Sequence, residues 1–217
     1  MARPKLLQAP RLRGRPPSTP GAPVHRKRHE RIEITDAVEF SEALNFARHL
    51  GREPNLFVTI QWKHAECDRD TAHRTRRLIN LCGTWTQRKA GLTPVWAYVR
   101  EAGLRKGEHL HLVIHTPPAL HTKFRKALWG WIETEATGEA KRTAVRIMPI
   151  REGDLHGKLK SYLLKDGTDE VRRNFWIPKH HHRTVGALMG KRIKVSHSIG
   201  PSARKASQSP VDGHDGV

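Results

Sequence analysis

Cysteine, tyrosine and acidic side chains are the scarce residues in this 217-residue chain, with two, two and 21 respectively. Cys67 and Cys82 have neither the paired spacing of a structural zinc site nor the number for a disulfide framework, so a reducing compartment is expected. No apolar run approaches the roughly 20 residues that cross a bilayer, and the Pro- and Arg-rich start carries no hydrophobic signal segment. A cytoplasmic protein with no membrane partner is the expectation. A phosphate-binding loop is also missing: residues 186–192 imitate one, but are a residue short between the glycines and end in Arg where Ser or Thr would hold magnesium. The length suits one ordinary domain with tails and leaves no room for an added helicase or ATPase module. Internal repeats are absent.

What is abundant is positive charge. Forty Lys and Arg give a formal net charge of +19, and 15 His accompany them, so an electropositive surface with nucleic acid as its commonest partner is expected. The excess is uneven. Residues 1–29 hold eight Lys or Arg and no acid, while residues 30–170 hold 23 against 19. Six prolines among arginines in residues 1–29 predict a disordered basic tail, residues 202–217 a second disordered tail, and residues 171–201 an ordered basic appendage with Lys191, Arg192 and Lys194 facing outward. The chemistry is assigned to residues 30–170.

Within that segment the apolar spacing predicts an α+β fold, an antiparallel sheet backed by helices. Asp36 caps a first helix that ends near Gly51. Residues 56–62 alternate with a period of two, as a strand does. Residues 70–89 form a helix weakened at Gly83, and residues 95–102 and 109–116 form a hairpin about a turn near Arg105. A helix through Phe124, Leu128 and Ile132, a strand at 145–150, and a helix capped by Asp154 with Leu155, Leu159 and Leu163 as its apolar stripe complete the core. The core order is β-α-β-β-α-β-α, which RNA-binding domains and unrelated enzymes share, so the site has to decide. The aromatic stacking motif of RNA-recognition domains has no counterpart, since the relevant strand reads His-Leu-His-Leu-Val-Ile-His.

His109 and His111, two apart in a strand, share one face. A hairpin centred near Arg105 sets Glu101 directly opposite His109, so one carboxylate and two imidazoles converge. Such a donor set suits Mg²⁺ or Mn²⁺, with the imidazoles favouring Mn²⁺. The alternative is that both histidines face solvent and Glu101 pairs with Arg100 or Arg105. Tyr162 lies on the last core helix with Lys158 and Lys165 four and three residues away, on one helical side. A neighbouring ammonium and a divalent ion would stabilise its phenolate. Its plainer role is a plug at the core's edge with lysines lying along it. His180, His181 and His182 are consecutive and cannot all face one ion in regular structure.

Phe57-Val58-Thr59-Ile60, His109-Leu110-His111 and Tyr162-Leu163-Leu164-Lys165 resemble, in order and kind, the three motifs of HUH endonucleases of the rolling-circle replication initiator type, over residues 53–168. Glu101 stands where that family carries its third metal ligand. The resemblance implies a metal-dependent nickase and ligase of single-stranded DNA at a replication origin, working with a separate helicase. It implies Glu101, His109 and His111 as ligands, Tyr162 as nucleophile leaving a 5′-phosphotyrosine, Lys165 as its partner, and Lys158, Lys191, Arg192 and Lys194 as DNA contacts. Relaxases place the tyrosine before the histidines. Single-tyrosine transposases take their third ligand from the tyrosine helix, so Glu101 and Lys165 favour the replication type. A non-catalytic nucleic-acid-binding module and a transposase-like recombinase stay open.

Overall fold

A computed structural model describes residues 28–65, 70–103, 107–136, 138–178 and 186–209. The tail through residue 27, the Arg105 turn, Cys67, His180 to His182 and the chain after residue 209 lie outside the described residues. The elements run β1 (Arg28–His29), α1 (Ile34–His49), β2 (Leu56–Gln61), α2 (Thr71–Ala90), β3 (Trp96–Gly103), β4 (Gly107–Ile114), α3 (His121–Glu135), β5 (Val145–Pro149), a wide turn at Leu155–Leu159 leading into α4 (Lys160–Leu163), α5 (Asp169–Asn174), β6 (Leu188–Met189), β7 (Ile193–Val195) and α6 (Pro201–Gln208). The fold is α+β. Its five-stranded sheet has the order β5-β2-β4-β3-β7, with every neighbouring pair antiparallel.

The period of two in β2 separates two cores. Leu56, Val58 and Ile60 face one way with Leu110, Leu112 and Ile114, against Leu78, Ile79 and Cys82 of α2 and Phe124, Leu128 and Ile132 of α3. Phe57 faces the other way with Val99 and Val113, against Phe40 and Leu44 of α1 and Leu163, Leu164 and Val171. A sheet covered on both faces explains why half-apolar strands are so deeply buried. Helix α2 runs through Gly83 without a break because Leu78, Ile79 and Cys82 anchor it just ahead of that residue and Trp85 packs on the same core just beyond it. Burial raises the pKa of the Cys82 thiol, which is a core group.

Five local expectations are corrected. Asp36 sits in the first turn of α1, whose cap position is Glu33; there its charge still favours the helix N-terminus. No continuous helix follows Asp154, because Gly157 leaves helical geometry (φ −103°, ψ −110°) and only Lys160–Leu163 continues as α helix. Arg28 and His29, assigned from sequence to the first tail, form a strand and pair with Met189 and Leu188. Residues 201–208 are helical, started by Pro201 and held to α1 by Arg204, which bonds Glu39 at 2.7 Å and Glu42 at 2.9 Å.

The fifth concerns Arg192, expected on the surface and 1% exposed. It donates to the carbonyls of His29 (3.2 Å), Arg100 (3.3 Å) and Gly186, and its guanidinium is 3.6 Å from Asp166. A guanidinium has enough donors to satisfy several buried acceptors at once, so the interior can hold it. The glycines that imitate a phosphate loop have structural work: a Cβ on Gly186 would stand 2.9 Å from that of Ala102, and Gly190 has φ +78°.

Candidate active site

On the second sheet face the register stacks three rows. Glu101, His109 and Gln61 form one, Val99, His111, Thr59 and Arg146 the next, and Ala97, Val113, Phe57 and Met148 the third. Helices cover the apolar row. The polar rows floor a pocket of about 1150 Å³, walled on the far side by Arg142, Arg146 and Met148 and by Lys158, Leu159 and Tyr162.

The expected pairing of Glu101 with His109 is present. Arg100 does not take Glu101: it points to the other face and bonds Glu108 at 2.6 Å. Glu101 Oε2 accepts from Lys165 Nζ at 2.5 Å and stands 3.0 Å from His111 Nε2. His111 Nδ1 is 3.2 Å from Thr59 Oγ1, so both ring nitrogens are engaged. Burial pushes the Glu101 pKa up, but the His111 bond and the Lys165 charge outweigh it and hold the carboxyl well below its usual range. His111 is shifted down, by burial first, against the opposing pull of Glu101.

Tyr162 joins this cluster. Its ring meets the His111 ring edge-on at 5.4 Å and the Phe57 ring at 6.2 Å, and Lys165 Nζ stands 3.9 Å from its ring centre. At 36% exposure it is reachable from the pocket. Lys165 does not share a helix side with it, because α4 ends at Leu163; the turn that follows folds Lys165 back, 6% exposed, between Tyr162 and Glu101. Lys158 is exposed at the pocket rim, whereas Lys191 and Lys194 are exposed but outside the pocket lining.

Three further pocket groups were not named from sequence. Asp166 lines the pocket, buried, with burial first and then the charge of Glu101 raising its pKa against Lys165 and Arg192. Arg142 and Arg146 are exposed on the wall without a carboxylate partner among the described residues. For Arg146 a signal existed: it shares with Met148 the alternate face of β5.

Glu101, His109 and His111 offer donors a divalent ion accepts, and Gln61 Oε1, in the same row, is a buried acceptor with no hydrogen-bond donor. The donor chemistry therefore fits a divalent ion. Among the described residues, however, no three His, Cys, Asp or Glu side chains are already arranged as a metal cage; Glu101 Oε2 would have to exchange its bonds to Lys165 and His111. No family model, curated protein or solved structure matches the chain.

Proposed function

We propose that the protein nicks and rejoins single-stranded DNA as an HUH-type replication initiator, with Tyr162 as nucleophile. The observation that carries this is the juxtaposition of an accessible tyrosine with a buried lysine, 3.9 Å from its ring, and a Glu101–His111 pair, at the edge of an open pocket. Tyr162 Oη attacks phosphorus, an O–P bond forms as the bond to the 3′ oxygen breaks, the phenol loses its proton and the leaving oxygen gains one. The resulting phosphotyrosine retains the phosphodiester bond energy, so reversal needs no other energy source. Lys165, 3.9 Å from the centre of the Tyr162 ring, stabilises the phenolate electrostatically. Glu101, His109 and His111 would hold Mn²⁺ or Mg²⁺, which when bound would polarise the scissile phosphate. Arg142, Arg146 and Lys158 meet the phosphates of the strand, while Met148, Ile150 and Leu159 offer an apolar wall to a base. A separate helicase would supply the single strand.

One observation favours the transposase-like reading: Asp166, four residues after Tyr162, lines the same pocket. Incubating the protein with single-stranded DNA from around its own gene and Mn²⁺, and resolving the products on a denaturing gel, tests both. A covalent adduct is expected for the wild type and absent for Tyr162→Phe and with chelator. Its loss in Glu101→Gln but not Asp166→Asn favours the initiator; the opposite pattern favours the transposase-like enzyme. Tight binding without an adduct on any strand would leave a non-catalytic binding module.

A further inference from the structure

Helices α2 and α3 pack side by side on the sheet face opposite Tyr162. Together they hold eight Lys or Arg and two acids, while the other residues of 30–170 hold 15 and 17. The cationic excess of the core thus resides wholly on these two helices. Helix α2 has no acid in its 20 residues. His73, Arg76, Arg77, Asn80, Thr84, Gln87 and Arg88, spaced mostly by three and four, form one solvent-facing stripe along it. The first five of these, with Leu81, line a shallow hollow. The helices run antiparallel: Arg74 and Arg77 bond Glu135 at one end, at 3.3 and 2.8 Å, and Trp85 packs on Phe124 at the other, 5.3 Å between ring centres. Exposed Lys123, Arg125 and Lys126, in the first turn and a half of α3, are therefore level with the C-terminal half of α2. Among the described residues no carboxylate forms an ion pair with Arg76, Arg88 or Lys89.

We infer that this face docks double-helical DNA, separately from the single-strand site, with the α2 stripe in the major groove and the α3 cations on the flanking phosphates. A helix of 20 residues, about 30 Å long, fits the major groove of B-form DNA and not the deep, narrow one of A-form RNA. Asn, Gln, Arg and Thr are the side chains that bond base edges and phosphates. Single-strand binding relies on exposed aromatic rings, and the stripe has none, since Trp85 is turned into the core. That the duplex is DNA beside an origin rests on the nicking reading; the preference for a B-form duplex does not. An initiator with both faces would hold the duplex beside its origin while the opposite face works on the melted strand.

The test compares the full-length wild type with Arg76→Gln/Arg88→Gln, and with Arg173→Gln/Lys205→Gln as a control of equal charge on exposed residues elsewhere. Affinity for a labelled 20-base-pair DNA is measured over a salt series, with the same sequence as duplex RNA for comparison. The α2 pair is expected to make the slope of log K against log salt shallower by about 2, at roughly 0.9 for each phosphate that is no longer neutralised, while forming the Tyr162 adduct on a single strand as the wild type does. The control pair should change the slope by less than half as much. Equal effects of the two pairs, an unchanged slope for the α2 pair, or duplex RNA bound as tightly as DNA would each overturn the inference. Absence of any adduct from the wild type, with the α2 effect intact, would remove the nicking reading and leave the duplex face standing.

Discussion

His111 is pinned at both ring nitrogens, by Thr59 and Glu101, inside the sheet. Burial foremost, and the Lys165 charge, lower its pKa and keep it neutral in the fold. The unfolded side chain titrates near ~6.5. Between its depressed folded value and that figure the unfolded chain binds the extra proton, so stability rises with pH through this window and falls as pH drops through it. Glu101, held low, adds to the same trend: its contribution is complete above the unfolded value of about 4.3 and is lost in stronger acid. His156, also lowered by burial first, has the same sign. In chelator, the melting temperature is expected to be insensitive to His111 titration above about pH 7 and to decline below ~6.5. Calorimetry of His111→Gln should show a smaller decline between those pH values than the wild type. Parallel profiles for the two proteins would mean that His111 is not held neutral.

At the scale of elements, Arg192 ties four separate pieces together: β1, β3, the loop before β6 and the turn after Tyr162. That turn carries Lys165 and Asp166, so this clamp supports the back of the Tyr162, Lys165 and Glu101 cluster from a segment that sequence patterning assigns to an appendage. Arg192→Ala would strand a buried Asp166 carboxylate and three carbonyls, at a cost of about 3 to 5 kcal/mol. Arg192→Lys should recover only part of this, because one ammonium cannot span the same acceptors. Urea denaturation measures both; a loss below about 1 kcal/mol for the alanine variant would put the pair in the class of surface salt bridges.

For the whole molecule, charge and chemistry divide along the chain. Residues 1–27 carry seven Lys or Arg and no acid, and phosphate contacts supply affinity that depends on salt but not on sequence. Removing them is expected to weaken single-strand binding and flatten its salt dependence, with adduct formation retained. Removing residues 1–29 additionally deletes β1 and the His29 carbonyl that Arg192 uses, so the melting temperature should fall only in the longer deletion. A salt slope unchanged by the shorter deletion would show that those cations do not meet phosphate.

The sequence alone determined what depends on local periodicity: the α+β class, the order of strands and helices from β2 to β5, the hairpin register that opposes Glu101 to His109, and the place of Tyr162 after β5. Periods of two and of three to four residues are set by backbone geometry, so they are legible without neighbours. Only the tertiary structure decided which charges face inward. Lys191, Arg192 and Lys194 look alike in sequence, yet Arg192 is buried because Asp166 and carbonyls distant in the chain converge on it. Arg146 and Asp166 likewise meet the site through strand pairing and a turn, across separations that no local pattern encodes. The alternate-face position of Arg146 was visible in β5, but that β5 lies beside β2, and so beside His111, follows from a long-range pairing.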